Sequence, residues 1–429
     1  MAALSDIDGL LKDYYAGPVR DQLNNELMIF DLFNRRKMTW TGRKVIMPVR
    51  TARNGSGAFR AEGVALPGAG NNVYLDLNIE CKYLYGRMSL TGPAIAQAKA
   101  SQGAFLNALE SELDGAMETV KNVADSQAFV GGGCVGFIHD QSIGSVVDHP
   151  FSGNLEAIPV FGAGAVNCKI VRLSDYAVVA TTTCTQSATA GQIFFGAAVN
   201  LSAAGAGPLS IGTRGAAAVV VDNDPAGLDT TLTVAGIYTN LAGGPYANPD
   251  QHFTVNRNAA TGATLRSVVR SITTDGQVSS LITPRTLQFM LDEISTESGE
   301  MPNCMIAHYI FRQEYLGLLT QSVTAGGGMV AATAYQKDVD NGDAGFRGGF
   351  TFNGIPLKVS RHCGKGLLIF LKTDSWTVTE VEDPGFADLD GNVLSRSATT
   401  DAYEAFVRYY YNLVCSNPNR NGILVALSY

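Results

Sequence analysis

The sequence is poor in charge and has no excess of basic residues. Charged residues make up 16% of the chain, and 31 Lys plus Arg stand against 39 Asp plus Glu, a net charge of −8. A protein that grips nucleic-acid phosphates over its whole surface needs the opposite balance, so that class is excluded. Apolar runs of about 18 residues are missing as well, and the start MAALSDIDGLLKDYY lacks the basic head and apolar core of a signal peptide, which together point to the cytosol. Cysteine is sparse and scattered: Cys81, Cys134, Cys168, Cys184, Cys304, Cys363 and Cys415 form an odd set without a CxxC. That excludes a disulfide framework or zinc cluster and leaves reduced, mostly buried thiols.

Catalytic patterns are equally thin. Gly131, Gly133 and Gly136 have a dinucleotide-binding spacing, but they follow a helical stretch instead of a strand. Gly364-Lys365-Gly366 lacks the rest of a phosphate loop and reads as a turn. Asp338, Asp340 and Asp343, like Asp388 and Asp390, resemble calcium loops without the glycine and closing glutamate those need, and read as solvated turns. The histidines include no HExxH, and no serine sits in a GxSxG elbow. Cys304 and His308 fit a buried thiol beside a capping histidine. The chain is therefore not expected to be an enzyme, and no cofactor or metal is called for.

What is present begins with one long periodic stretch. Phe105, Leu109, Leu113, Met117 and Val120 recur in steps of three and four, with Leu106 and Val123 widening the stripe. Glu110, Glu112, Asp114, Glu118, Lys121 and Asp125 take much of the other circumference. This predicts an amphipathic helix over about 104–129, roughly 37 Å long. Before it, Val45, Met47 and Val49 alternate, as do Val73, Leu75, Leu77 and Ile79; between these strands lies the Gly-rich TARNGSGAFRAEGVALPGAG. A hairpin this long has no core of its own and must lie on something. The first 40 residues, with Arg35, Arg36 and Lys37 as a basic patch, are too short for a core; they form either a loose terminus or an arm that orders on a neighbour.

After the helix, about 145–260 turns to short apolar runs with many Thr, Ala and Gly. Strands are expected at Ile158 to Phe161, Cys168 to Leu173, Ala177 to Thr182, Gln192 to Val199, Ala216 to Val221 and Leu232 to Ile237. Thr283-Pro284 opens a helix that Gly299 closes. A strand over Cys304 to Ala307 and a helix through Tyr315 to Leu319 follow. Asn353-Gly354 joins a hairpin, Leu367 to Leu371 and Trp376 to Val381 read as strands, and two more strands broken near Asn417-Pro418 end the chain.

The order of a basic arm, a Gly-tipped hairpin, SLTGPAIAQAKASQGAFLNALESELDGAM, a β-rich middle, FNGIPLKVS and TDAYEAFVRYYYNLVCSNPNRNGIL resembles a major capsid protein of a tailed bacteriophage. The resemblance implies an α+β, Hong Kong 97-type fold. It divides the chain into an N-terminal arm (1–41), an extended β-hairpin loop (42–91), a peripheral domain with the spine helix (92–144), a β-rich insertion (145–261), an axial domain (262–400) and C-terminal strands returning to the core (401–429). It implies a structural protein that self-assembles in the host cytoplasm, as hexamers and pentamers, into an icosahedral virion shell around double-stranded DNA. Such a shell contacts DNA without sequence specificity and touches no membrane. A portal, a cement or decoration protein and a separate scaffolding polypeptide are the implied partners, the last because the arm starts almost at Met1.

Arg53, Arg60, Glu62, Arg35 and Arg36 are the candidate inter-subunit contacts, and Phe105, Leu109, Leu113, Met117 and Val120 the spine core. Some relatives weld subunits through a lysine near the loop tip, but Thr51 to Asn72 holds none; Lys44 and Lys82 are the nearest amines. A shell held without covalent links is therefore expected, locked by charge pairs at the loop tip, strand addition and arm docking. A surface-layer or adhesin protein would share the composition but needs a signal peptide. A carbohydrate-active enzyme needs two placed carboxylates, for which the sequence offers Glu293 and Glu297 on a helix face.

Overall fold

The computed structural model describes residues 28–37, 44–91, 102–131, 134–138, 146–153, 164–172, 178–189, 192–199, 217–222, 235–242, 251–257, 259–271, 283–324, 350–364, 367–387, 395–396 and 399–425. The strand expected at Ile158 to Phe161, the aspartate clusters after Asp338 and Asp388, most of the N-terminal arm and much of the two glycine motifs lie outside them. So do the side chains of Phe105 and Leu109. The described residues form two compact units: one within 85–120 and 384–408, the other within 27–84, 121–383 and 409–429.

The larger unit opens with a short helix, α1 (Met28–Leu32), and strand β1 (Asn34–Lys37). The hairpin follows as β2 (Lys44–Ala52) and β3 (Val73–Glu80), paired antiparallel from Lys44↔Glu80 to Ala52↔Val73 with an irregularity after Arg50. Along β3 the expected alternation holds where the strand meets the body, with Leu77 and Ile79 buried. A six-stranded antiparallel barrel is built from β5 (Cys134–Ile138), β6 (Val146–Gly153), β7 (Val166–Arg172), β8 (Val178–Gln186), β9 (Gln192–Val199) and β10 (Ala217–Asp222), closed by β10 lying between β5 and β7. Cys168, Ile170, Cys184, Ile193 and Phe195 are among its buried side chains.

A second sheet has the order β13-β21-β17-β14-β16-β15, with β13 (Val268–Ser271), β14 (Cys304–Ala307), β15 (Thr351–Phe352), β16 (Ile355–Val359), β17 (Leu368–Leu371) and β21 (Gly422–Val425). One helix, Pro284–Ser298, packs Leu287, Met290, Leu291 and Ile294 onto it. Its caps are local chemistry: Thr283 Oγ1 accepts from the Thr286 amide at 3.1 Å, Pro284 needs no donor, and Gly299 turns left-handed at φ 76°. Asn353 (φ 51°) and Gly354 (φ 79°) make the two-residue turn that pairs Phe352 with Ile355. Met305, Leu368 and Phe370 complete the core, together with Phe311 from helix Tyr309–Thr324.

A third sheet runs β1-β18-β20-β19, where β18 is Trp376–Phe386, β19 Ser395–Arg396 and β20 Ala402–Cys415; β4 (Lys82–Thr91) pairs β20 as well. The long helix spans Gln102–Val130, 29 residues. In the smaller unit it lies against β4 at Gly86, where an added Cβ would sit 2.4 Å from Val120 Cγ2.

Four expectations change. Residues 28–37 order on their own chain: Ile29, Phe30 and Phe33 are buried and β1 lies parallel to β18. Asp125, placed by periodicity on the polar side of the helix, is fully buried and accepts the Ile29 amide at 2.8 Å. The barrel takes in β5, ahead of residue 145. Of the strand expected from Leu232 to Ile237, the described residues 235–237 hold an isolated bridge from Ala235 to Gly131 and the start of a short helix, Ile237–Ala242, which buries Ile237, Tyr238 and Leu241 on one side.

Candidate subunit-contact surface

The hairpin is tied at its base and open at its tip. At the base Glu80 receives Lys44 at 3.3 Å and Lys82 at 3.7 Å, and the Glu80 carbonyl accepts from Asn412 Nδ2 at 2.7 Å. Thr254 Oγ1 lies 3.4 Å from the Asn78 amide and 3.3 Å from the Asp76 carbonyl. Beyond Ala52 the chain leaves the ladder. The Asn54 amide donates to Asn72 Oδ1 at 2.9 Å, the Ser56 amide to Asn54 Oδ1 at 3.0 Å, and one turn closes Ala61 to Val64. No helix or strand forms from Arg53 to Asn72.

Arg53, Arg60 and Glu62 are exposed there and have no ion pair among the described residues. Beside them stand apolar side chains that sequence periodicity did not single out: Phe59 is fully exposed, Leu66 88% and Val64 53%. Their only sequence signal is that large apolar residues occur in a Gly-rich polar stretch. Tyr74 and Ile46 continue the exposure along the strands.

The other candidates are placed differently. Arg35 is held by its own chain, 3.8 Å from Glu380 and with its guanidinium 5.1 Å from the Phe30 ring centroid. Glu380 is buried and takes a 2.5 Å hydrogen bond from Tyr409, whose hydroxyl burial and this carboxylate push well above the usual tyrosine range. Lys37 pairs with Asp383 at 2.5 Å, which raises the lysine and lowers the aspartate. Arg36 is exposed in the same strand. On the long helix Leu113 and Met117 are half-buried and Val120 is buried.

Glu293 forms an ion pair with Arg270, and Glu297 is exposed. Cys304 is buried, while His308 Nδ1 accepts from the Ile310 amide at the start of a helix. The six described thiols are free, and all but Cys81 are buried. Among the described residues no His, Cys, Asp or Glu cluster could hold a metal, and no helix is long and apolar enough to cross a membrane.

No protein-family model and no curated protein matches the sequence. Solved structures do match. A chain of the cyanophage A-1(L) capsid asymmetric unit is 10% identical, with 98% of each chain covered and a TM-score of 0.58. A chain from the capsid of an empty GTA particle is 8% identical, with 99% of each chain covered and a TM-score of 0.50. Likeness over the whole length at such low identity speaks for the backbone: this chain has the α+β fold of tailed-phage capsid proteins.

Proposed function

We propose that the chain is the major capsid protein of a tailed-phage-type particle, assembling with copies of itself into the icosahedral shell that encloses double-stranded DNA. The observation that carries this beyond the fold is the hairpin tip. Exposed Phe59 and Leu66 leave apolar area that a monomer gains nothing by displaying, and a neighbouring copy that covers them stabilises the pair by burial. Arg53, Arg60 and Glu62, exposed in the same tip, supply charged groups of the kind that rim an apolar interface centre. On this reading the tip combines charge pairing with apolar anchoring. Shell contacts need to be individually modest so that misplaced subunits leave, and numerous so that the closed shell persists.

The purified protein is expected to form closed shells in negative stain. Phe59→Asp with Leu66→Asp should abolish them while leaving the subunit's urea midpoint unchanged, since neither side chain is part of a core. Shells formed normally by this variant would sink the assignment of the tip. Wild-type protein that stays monomeric under every assembly condition would sink the shell reading itself.

The links in that shell are proposed to be non-covalent. A cross-linking amine must be free to attack, whereas Lys44 and Lys82 both face Glu80 at the hairpin base, and the tip offers only guanidinium groups, which stay protonated. Boiled particles on a denaturing gel should run as one band near 45.4 kDa. A ladder of multimers would overturn this.

A further inference from the structure

We propose that Asn54 is a site of spontaneous deamidation, converting to aspartate and isoaspartate through a cyclic imide. The reaction needs a peptide nitrogen that can reach the side-chain carbonyl carbon, and glycine after asparagine leaves that nitrogen unhindered. The sequence has this dipeptide at Asn54, Asn341, Asn353 and Asn421, and three of the four are described. Their surroundings differ sharply.

Asn421 is fully buried, with its side-chain oxygen accepting from the Lys372 amide and Trp376 Nε1 and its nitrogen donating to Asn417 O and Ser375 Oγ. Neither the amide nor the backbone can rotate, and water is excluded. Asn353 is fixed at φ 51° in the tight turn between paired strands, which holds the Gly354 nitrogen in place. Asn54 is exposed and followed by chain without helix or strand. Its side-chain oxygen accepts the Ser56 amide at 3.0 Å, which polarises the carbonyl carbon toward attack.

The chemistry balances without an oxidant or reductant. The Gly55 nitrogen gives its proton to hydroxide and bonds to Asn54 Cγ; the bond from Cγ to Nδ2 breaks and ammonia leaves, taking a proton from water. Water then adds to one imide carbonyl and opens the ring, giving aspartate or isoaspartate. One water is consumed and one ammonia released. Residues 53–72 carry two Arg and one Glu, so the new carboxylate takes that segment from +1 to 0. Under the shell reading the change falls on the subunit contact, but the reaction itself does not depend on that reading.

The test is peptide mapping by mass spectrometry of the dissociated protein during incubation at mildly alkaline pH. Asn54 should convert progressively, faster as hydroxide rises, while Asn353 and Asn421 keep their amides. Gly55→Ala should slow conversion many-fold; an added Cβ there meets nothing within 4 Å, so the variant keeps the fold. An intact Asn54, conversion of Asn353 or Asn421 at an equal rate, or an undiminished rate in Gly55→Ala would each overturn the proposal.

Discussion

Asn421→Ala is expected to destabilise the larger unit by about 3 to 5 kcal/mol, read as a fall in the urea midpoint followed by tryptophan fluorescence. The side chain is fully buried where the ends of three strands meet. Its oxygen accepts from the Lys372 amide at 2.8 Å, after β17, and from the Trp376 indole at 3.0 Å, at the head of β18. Its nitrogen donates to Asn417 O at 2.9 Å and Ser375 Oγ at 3.1 Å, with Cys415 Sγ 3.5 Å away at the end of β20. Alanine would strand two buried donors and open a cavity beside Trp376, itself fully buried and stacked on Phe33. Each stranded group costs about 1 to 3 kcal/mol, and the void adds to that.

Asn421→Asp separates this account from simple packing. The two accepted bonds survive, but the second oxygen then faces the Asn417 carbonyl, and a charge is buried without a partner. Severe loss in both variants is expected. A loss under about 1 kcal/mol in Asn421→Ala would show that the network is not holding these strand ends together.

Features written in adjacent residues were legible in the sequence. The cap Thr283-Pro284, the closing Gly299, the Asn353-Gly354 turn and the alternation of β3 each depend on a few neighbours. Features that depend on a distant partner were not. Asp125 reads as a solvent-facing helix residue until the Ile29 amide, 96 positions earlier, takes its carboxylate. The basic run Asn34 to Lys37 reads as part of a loose terminus or of an arm that orders on a neighbour until β18 is placed beside it. That β5 joins the β-rich module was not legible for the same reason, since the pairing of Ile138 with Ala217 spans 79 positions. At the hairpin tip Arg53, Arg60 and Glu62 could be singled out because charge is visible residue by residue. Phe59 and Leu66 were not, because exposure is a property of the fold.

Mild acid is expected to weaken the larger unit through two buried histidines. His252 lies between Arg257 and the Cys415 carbonyl, with Nδ1 at 2.9 Å from the guanidinium and Nε2 at 2.9 Å from the oxygen. The guanidinium can only donate, so Nδ1 accepts, Nε2 carries the proton, and the ring is neutral. A second proton would point at Arg257, which is buried and bound to the Asn240 and Leu241 carbonyls. Burial and then Arg257 hold His252 down at about 3. His362, buried beside Phe129, has neither ring nitrogen hydrogen-bonded among the described residues; burial and then Arg361 hold it down at about 3 also. Because both folded values lie below the ordinary 6.5, the unfolded chain takes up protons that the folded chain refuses. Stability from these groups is therefore complete above about pH 6.5 and falls as the pH drops toward 3, by roughly 1.4 kcal/mol per unit for each ring. At about pH 4.5 the two together remove roughly 5 kcal/mol, comparable to the whole stability of an ordinary domain. His362→Leu should leave the neutral-pH midpoint near or above the parent's and cut the slope of stability against pH to about half between roughly pH 6 and 4. A urea midpoint that stays flat from neutral to about pH 4.5 in the parent, or an unchanged slope in His362→Leu, would refute this assignment.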